Sequence, residues 1–345
     1  MSLEHYLWAM PKVELHVHLE GSIQPETLLR LAERYQVALP VRTLKEVRDW
    51  YRFTDFAHFV DIYLAISSCL RTVDDIELVT REFLVGQAAQ SIYYTEITYT
   101  PFTHYASKGI SYRDQLAALN RARAWAAAEL GVQCNFVMDI PRQIDADDGL
   151  MVADWVIDSL GDGVVALGLG GPEIGNPPEK FKAAFARARE AGVPRVPHAG
   201  ETDGAASIWG ALRSLDAQRI GHGVRCLEDP KLVDELRAHQ IPLEVCPSSN
   251  VCLGVSPSVS EHPLPRMIDA GLYVTLNSDD PPMFNTSLTN EYLVAARAFG
   301  WDAELFERLV LNAANAALLP EAERATLIAR LEAGFAQARA EQLGA

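Results

Sequence analysis

The feature that most constrains this chain is an alternation: eight apolar runs of strand length, separated by stretches with helical periodicity and charged faces. The runs lie at 13–19, 92–98, 135–140, 164–169, 195–199, 219–224, 243–246 and 273–278, and helical segments fall at 112–130, 179–191, 207–215, 230–239 and 263–270. Strand alternating with helix predicts a closed parallel (β/α)8 TIM barrel, with a doubly wound open sheet as the alternative. The polar residues favour the barrel. His, Glu, Asp and Asn gather at the C-terminal end of strand after strand, where barrel enzymes build their sites, whereas an open sheet concentrates them at one switch point.

Two segments depart from the alternation. After the first helix, the run WYRFTDFAHFVDIYL spaces Phe56, Phe59, Val60 and Tyr63 by three, four and seven residues, which places them on one helical face. Such a stripe is commonly plain core, but its place beside the first strand's loop predicts an inserted helical lid, about residues 40–70, over a flat substrate. Residues 301–345 are rich in Ala, Leu, Glu and Arg and read as closing helices. With 345 residues, 49% hydrophobic, and neither an internal repeat nor a linker, the expectation is a single domain spanning 1–345.

A net charge of −16 argues against nucleic acid or an anionic membrane surface as partner and favours a small molecule; oligomeric state is left open. The five cysteines, Cys69, Cys134, Cys226, Cys246 and Cys252, are scattered without a Cys-x-x-Cys pair. They read as reduced thiols of a cytoplasmic protein rather than a disulfide framework or thiolate site. The start MSLEHYLWAMP has no signal-peptide pattern, and no run of 18 apolar residues marks a membrane span.

Within this frame the chemistry-bearing residues fall at strand ends. His16 and His18 in KVELHVHLEGS are two apart, so a strand turns both imidazoles to one side, where they can reach one metal; the plain alternative is a chance pair. The fifth run ends in PHAGE: His198 offers a third imidazole, or is a satisfied structural histidine, and Glu201, three residues on, is free for acid or base work. In RIGHGV, His222 sits between glycines and either orients a water and takes up its proton or caps the strand end. In NSDDP, Asp279 and Asp280 are adjacent carboxylates, costly to hold together without a cation. Asp279 as fourth ligand and Asp280 as a hydrogen-bond acceptor is the economical assignment; solvated turn carboxylates are the alternative.

These motifs, together with CPSSN at 246–250, resemble the adenosine deaminase family of the amidohydrolase superfamily along nearly the whole chain. The resemblance implies one Zn2+ held by His16, His18, His198 and Asp279. It further implies that Glu201 protonates the purine N1, that His222 is the base that orients the attacking water, that Asp280 is an acceptor facing N7, and that the Gly171 backbone meets N3. Such a zinc makes hydroxide available near neutral pH, attack at C6 of a 6-aminopurine makes that carbon tetrahedral, and ammonia leaves. GLGGPE supplies no lysine to bridge two metals, which speaks against a binuclear phosphoesterase or lactonase; a barrel that merely binds purines would not need a proton donor and a water-orienting histidine.

The chain also departs from the family pattern. Glu20 stands where His-x-His-Leu-Asp has the aspartate associated with the ribose 5′-hydroxyl, and Gly168 and Pro172 replace the two aspartates of Asp-Leu-x-Gly-Asp-Glu. GLGGPEIG, VPHAGET and NSDDPPMF look more like the bacterial branch that acts on 6-aminodeoxyfutalosine, an adenine nucleoside with an aryl ketone chain at C5′, on a menaquinone route. Glu20, Phe56 and Phe59 are accordingly expected to meet the substrate, the phenylalanines packing on the aryl group. Deamination of adenosine or of free adenine are the alternatives.

Overall fold

The computed structural model describes residues 2–344; the end residues of the predicted domain, Met1 and Ala345, lie outside the described residues. Eight parallel strands follow chain order: β1 (Lys12–His18), β2 (Ile92–Tyr99), β3 (Gln133–Pro141), β4 (Val164–Gly170), β5 (Arg195–Ala199), β6 (Ile220–His222), β7 (Leu243–Val245) and β8 (Val274–Leu276). Beyond β8 the chain returns to β1. His18 N–H donates to Asp279 O at 2.8 Å and Asp279 N–H to His16 O at 3.1 Å, which closes the barrel and sets Asp279 beside both histidines. The predicted barrel is therefore the observed architecture.

The strands are buried on both faces, as a sheet enclosed by helices requires, which explains their nearly continuous apolar runs. The later strands are shorter than the sequence suggests. At β6 and β8 the backbone turns early, because His222 (φ 61°) and Asp279 (φ 65°) adopt left-handed conformations that non-glycine residues seldom hold. These turns re-aim two site residues at the barrel mouth.

The barrel interior is polar as well as apolar. Arg219, from the chain entering β6, donates to Glu96 on β2 at 2.6 Å and to Glu244 on β7 at 2.7 Å, which ties β2 across the interior to the neighbouring pair β6 and β7. Among the described residues no helix is long and apolar enough to cross a membrane, and all five cysteines are free.

The insertion begins directly after β1. Helices Pro25–Tyr35, Leu44–Trp50 and Phe56–Ser67 precede Val73–Ala89, the helix that leads into β2. Thr43 and Glu46 form a capping box on the second, and Asp55 caps the third by accepting from His58 N–H at 2.9 Å. Phe59 stacks on Phe284 of the loop after β8, ring centroids 5.4 Å apart, and that contact seats the lid helix across the mouth.

Candidate active site

Four ligand-type side chains converge at the C-terminal end of the barrel, and their second hydrogen bonds reveal which atoms they present. His16 Nδ1–H donates to Glu244 Oε2 at 2.8 Å. Its Nε2 faces the cluster, buried without a hydrogen-bond partner and 3.5 Å from Asp279 Oδ1. His198 Nδ1–H donates to Leu169 O at 2.9 Å, so its Nε2 is a lone pair; it faces His18 Nε2 at 3.0 Å, itself 3.4 Å from Asp279 Oδ1. Nitrogen and oxygen atoms converging this closely are the arrangement that a shared cation accommodates. Three imidazole nitrogens and one carboxylate, all within 4.8 Å of one another, are the donor set that suits zinc.

The electrostatics favour a single positive charge here. Burial opposes a charge on His16, but the Asp279 and Glu244 carboxylates override it and push its pKa up to about 10. Burial pushes His18 down to about 4 and His198 well below the usual imidazole range. Cys246 also lies near His222 and Asp279, yet burial holds its thiol firmly protonated.

Glu201 stands next to this cluster, its Oε1 3.7 Å from His222 Nε2. Burial, with the Asp279 and Glu173 carboxylates nearby, raises its pKa well above the carboxylate range, so it carries a proton. Its backbone is held by Glu173: the N–H groups of Gly200, Glu201 and Thr202 each donate to that carboxylate at 2.8 Å, and the Ser207 hydroxyl donates as well. The last residue of GLGGPE thus fixes the loop that bears the acid.

Two further residues are marked by their surroundings. His262 Nδ1 accepts from Leu264 N–H at 3.1 Å, its Nε2–H donates to Asn250 Oδ1 at 3.0 Å, and the Asn250 amide in turn donates toward His222 Nδ1 at 3.4 Å. That relay puts the hydrogen of neutral His222 on Nε2, which faces Glu201 and Asp279. Burial pushes the His222 pKa down to about 4, which keeps it neutral. Burial and the neighbouring Asp279 carboxylate raise the Asp280 pKa well above the usual range. Asp280 Oδ1 has no partner, and Gly21 makes room for it: a Cβ there would stand 1.6 Å from that oxygen.

These groups open into a cavity of about 650 Å3, mouth included, roofed by Phe56, Phe59, Val60, Tyr63 and Leu64. Gly171, at φ 98°, lies on its wall beside Gln143, Pro141 and Asp139. The stripe read from the sequence is the roof, although Phe59 is only 8% exposed and packs its ring against Phe53 and Phe284. Glu20 does not line the cavity. It is 1% exposed, one oxygen accepting from Thr100 N–H and His104 Nε2–H, both at 3.1 Å, and the other from Tyr63 OH at 3.2 Å.

Sequence reasoning missed Glu244, Glu173, Asn250 and Asp139. A charged residue inside an apolar strand run, as in LEV of β7 or MDI of β3, was the available signal.

Comparison with known proteins agrees with this geometry. The model of the family described as Adenosine deaminase matches residues 11–333. The aminodeoxyfutalosine deaminase of Streptomyces avermitilis is 40% identical over 332 residues, 96% of this chain and 92% of the relative. The adenine deaminase of Cupriavidus necator is 39% identical over 322 residues, 93% of this chain and 91% of that protein. The crystal structure of adenine deaminase from Arthrobacter aurescens superposes with a TM-score of 0.89 at 35% identity, covering 94% of this chain and 98% of that one. With barrel, donor set and proton-bearing carboxyls in place, the chain is a hydrolytic deaminase belonging to the adenosine deaminase family.

Proposed function

We propose that this protein is a zinc-dependent aminohydrolase that converts a 6-aminopurine nucleoside into its 6-oxopurine with release of ammonia, 6-aminodeoxyfutalosine being the best candidate. The observation that carries the reaction is the set of converging ligand atoms of His16, His18, His198 and Asp279, beside a carboxyl whose pKa burial raises well above the usual range. A zinc ion in that set supplies the Lewis acidity that makes water nucleophilic near neutral pH. The protein's own groups do the rest. His222 Nε2–H orients the water, and Asp279 Oδ2, 3.8 Å from that nitrogen, is the acceptor facing the water's proton. Glu201 gives its proton to N1 as C6 becomes tetrahedral, which keeps charge off the ring. Asp280 donates to N7, and the Gly171 N–H meets N3.

N9 lies across the bicycle from C6, so an N9 substituent leaves toward the mouth, past Tyr63, Leu64 and Thr103. That mouth offers apolar and hydroxyl surface and no carboxylate, because Glu20 is turned beneath the lid; it suits a 5′ arm that is not a bare hydroxyl. Leu64, the exposed member of the roof, and the half-buried Phe56 are the surface for an aryl group. Free adenine is the second reading, supported by the likeness to adenine deaminases. The protein is expected to act as a single cytoplasmic domain on this small molecule alone. Specificity constants for 6-aminodeoxyfutalosine, adenosine and adenine test the reading. The aryl nucleoside should lead; adenine exceeding both nucleosides would make this an adenine deaminase, and no turnover of any would remove the reaction.

A further inference from the structure

One polar group on the cavity wall has no task in the reaction above. Asp139, at the end of β3, is 2% exposed and lines the cavity. Its Oδ1 has no hydrogen-bond partner. His198 Nδ1, 3.9 Å from Oδ2, donates instead to Leu169 O. A buried carboxyl left in this condition costs free energy and calls for an explanation; Oδ1 is sealed toward Gly168, so a ligand in the cavity would meet the carboxyl through Oδ2.

The space around Asp139 is made by the departures in GLGGPE. β3 and β4 pair with Asp139 opposite Gly168. A Cβ on Gly168 would stand 1.9 Å from Asp139 Oδ1, and one on Gly170 would stand 2.4 Å from Oδ2. Any side chain at 168 would collide with this carboxyl, so the acidic group that the motif elsewhere carries on β4 is here presented by β3, in the same space. Gly171, proposed to meet N3, follows Gly170 directly, which brings Asp139 to the N3 edge of a bound purine. The atoms beside N3 that carry a hydrogen are N9–H in a free base and the ribose 2′-hydroxyl in a nucleoside.

We propose that Asp139 is a specificity-determining residue that hydrogen-bonds the substrate beside N3, at N9–H of a free base or at the 2′-hydroxyl of a nucleoside. The assignment rests on the proposed purine site and deepens it. Asp139→Ala, which only removes atoms next to glycines, and the isosteric Asp139→Asn are compared with the parent protein for bound metal, melting temperature, KM and kcat. Equilibrium binding is measured in parallel. The panel is adenine, 9-methyladenine, adenosine and 2′-deoxyadenosine. In Asp139→Ala, metal content and melting temperature should hold, while KM and Kd rise at least tenfold for the substrate that carries the contacted hydrogen. A loss with adenine that is absent with 9-methyladenine identifies N9–H; a loss with adenosine that is absent with 2′-deoxyadenosine identifies the hydroxyl. Affinities unchanged across the panel, or a loss that follows metal content, overturn the assignment and make Asp139 a support for His198. Purines bound through Asp139 without being deaminated would sink the proposed reaction alone, whereas deamination indifferent to Asp139→Ala would sink this assignment alone.

Discussion

Residues here act in pairs, one holding the other. Glu201 keeps its proton because its surroundings are buried and acidic, so Glu201→Gln, which retains shape but cannot protonate N1, should leave the metal bound and lower kcat by about 10²- to 10⁴-fold. Retention within about tenfold, a barrier change of only ~1.4 kcal/mol, would remove Glu201 as the acid. Glu244 accepts from His16 Nδ1–H and so points Nε2 at the metal position. Replacing it with Gln should weaken zinc affinity by about 10- to 100-fold, read by competition with a chelator; unchanged affinity would show that His16 orients itself.

Among elements, the lid is the one that a carboxylate ties down. Tyr63 on the helix Phe56–Ser67 donates to Glu20, Glu20 accepts from His104, and Lys108 donates both to His104 Nδ1 and to Ser67 O at the end of the same helix. Lys108 occupying Nδ1 leaves the His104 hydrogen on Nε2, where Glu20 accepts it, so the relay is satisfied at each link. Aspartate at position 20 is one methylene too short to serve both Tyr63 and His104. Glu20→Asp should speed amide hydrogen exchange in 56–67 by at least tenfold and raise KM for adenine and adenosine alike, with kcat little changed. An effect confined to nucleosides would return Glu20 to the sugar. Phe56→Ala should raise KM for an aryl nucleoside by about 2- to 10-fold, the worth of one aromatic pair, and leave adenine nearly unaffected.

At the scale of the whole molecule, the barrel wall and the metal centre share one network. Arg219 binds Glu96 and Glu244, Glu244 binds His16, and Glu96 also takes Leu318 N–H from the chain that follows the helix Ala303–Ala316. Removing the guanidinium strands two buried carboxylates, so Arg219→Met should destabilise the protein by about 3–5 kcal/mol in denaturant titration and weaken metal retention together. Loss of stability with metal affinity intact would uncouple wall from site. Metal analysis of the parent protein should find about one equivalent per chain; two, both needed for activity, would exclude a mononuclear centre.

The sequence by itself determined the barrel and the lid helix and picked out the histidines and aspartate that converge at the barrel mouth, because each is written in local pattern. Strand-length apolar runs, a helical stripe of aromatics and His-x-His spacing depend on neighbours along the chain. Proton positions and side-chain partners were decided by tertiary structure alone. His222 has its hydrogen turned to Nε2 by a relay through Asn250 and His262, burial and Asp279 raise the Asp280 pKa, and Glu20 lies outside the cavity because Tyr63, Thr100 and His104 take up both its oxygens. Asp139 fills the space of a side chain absent from Gly168, a position 29 residues away along the chain and adjacent only through β3–β4 pairing. A sequence names the ionisable groups; their charge and reach depend on which distant atoms the fold packs against them.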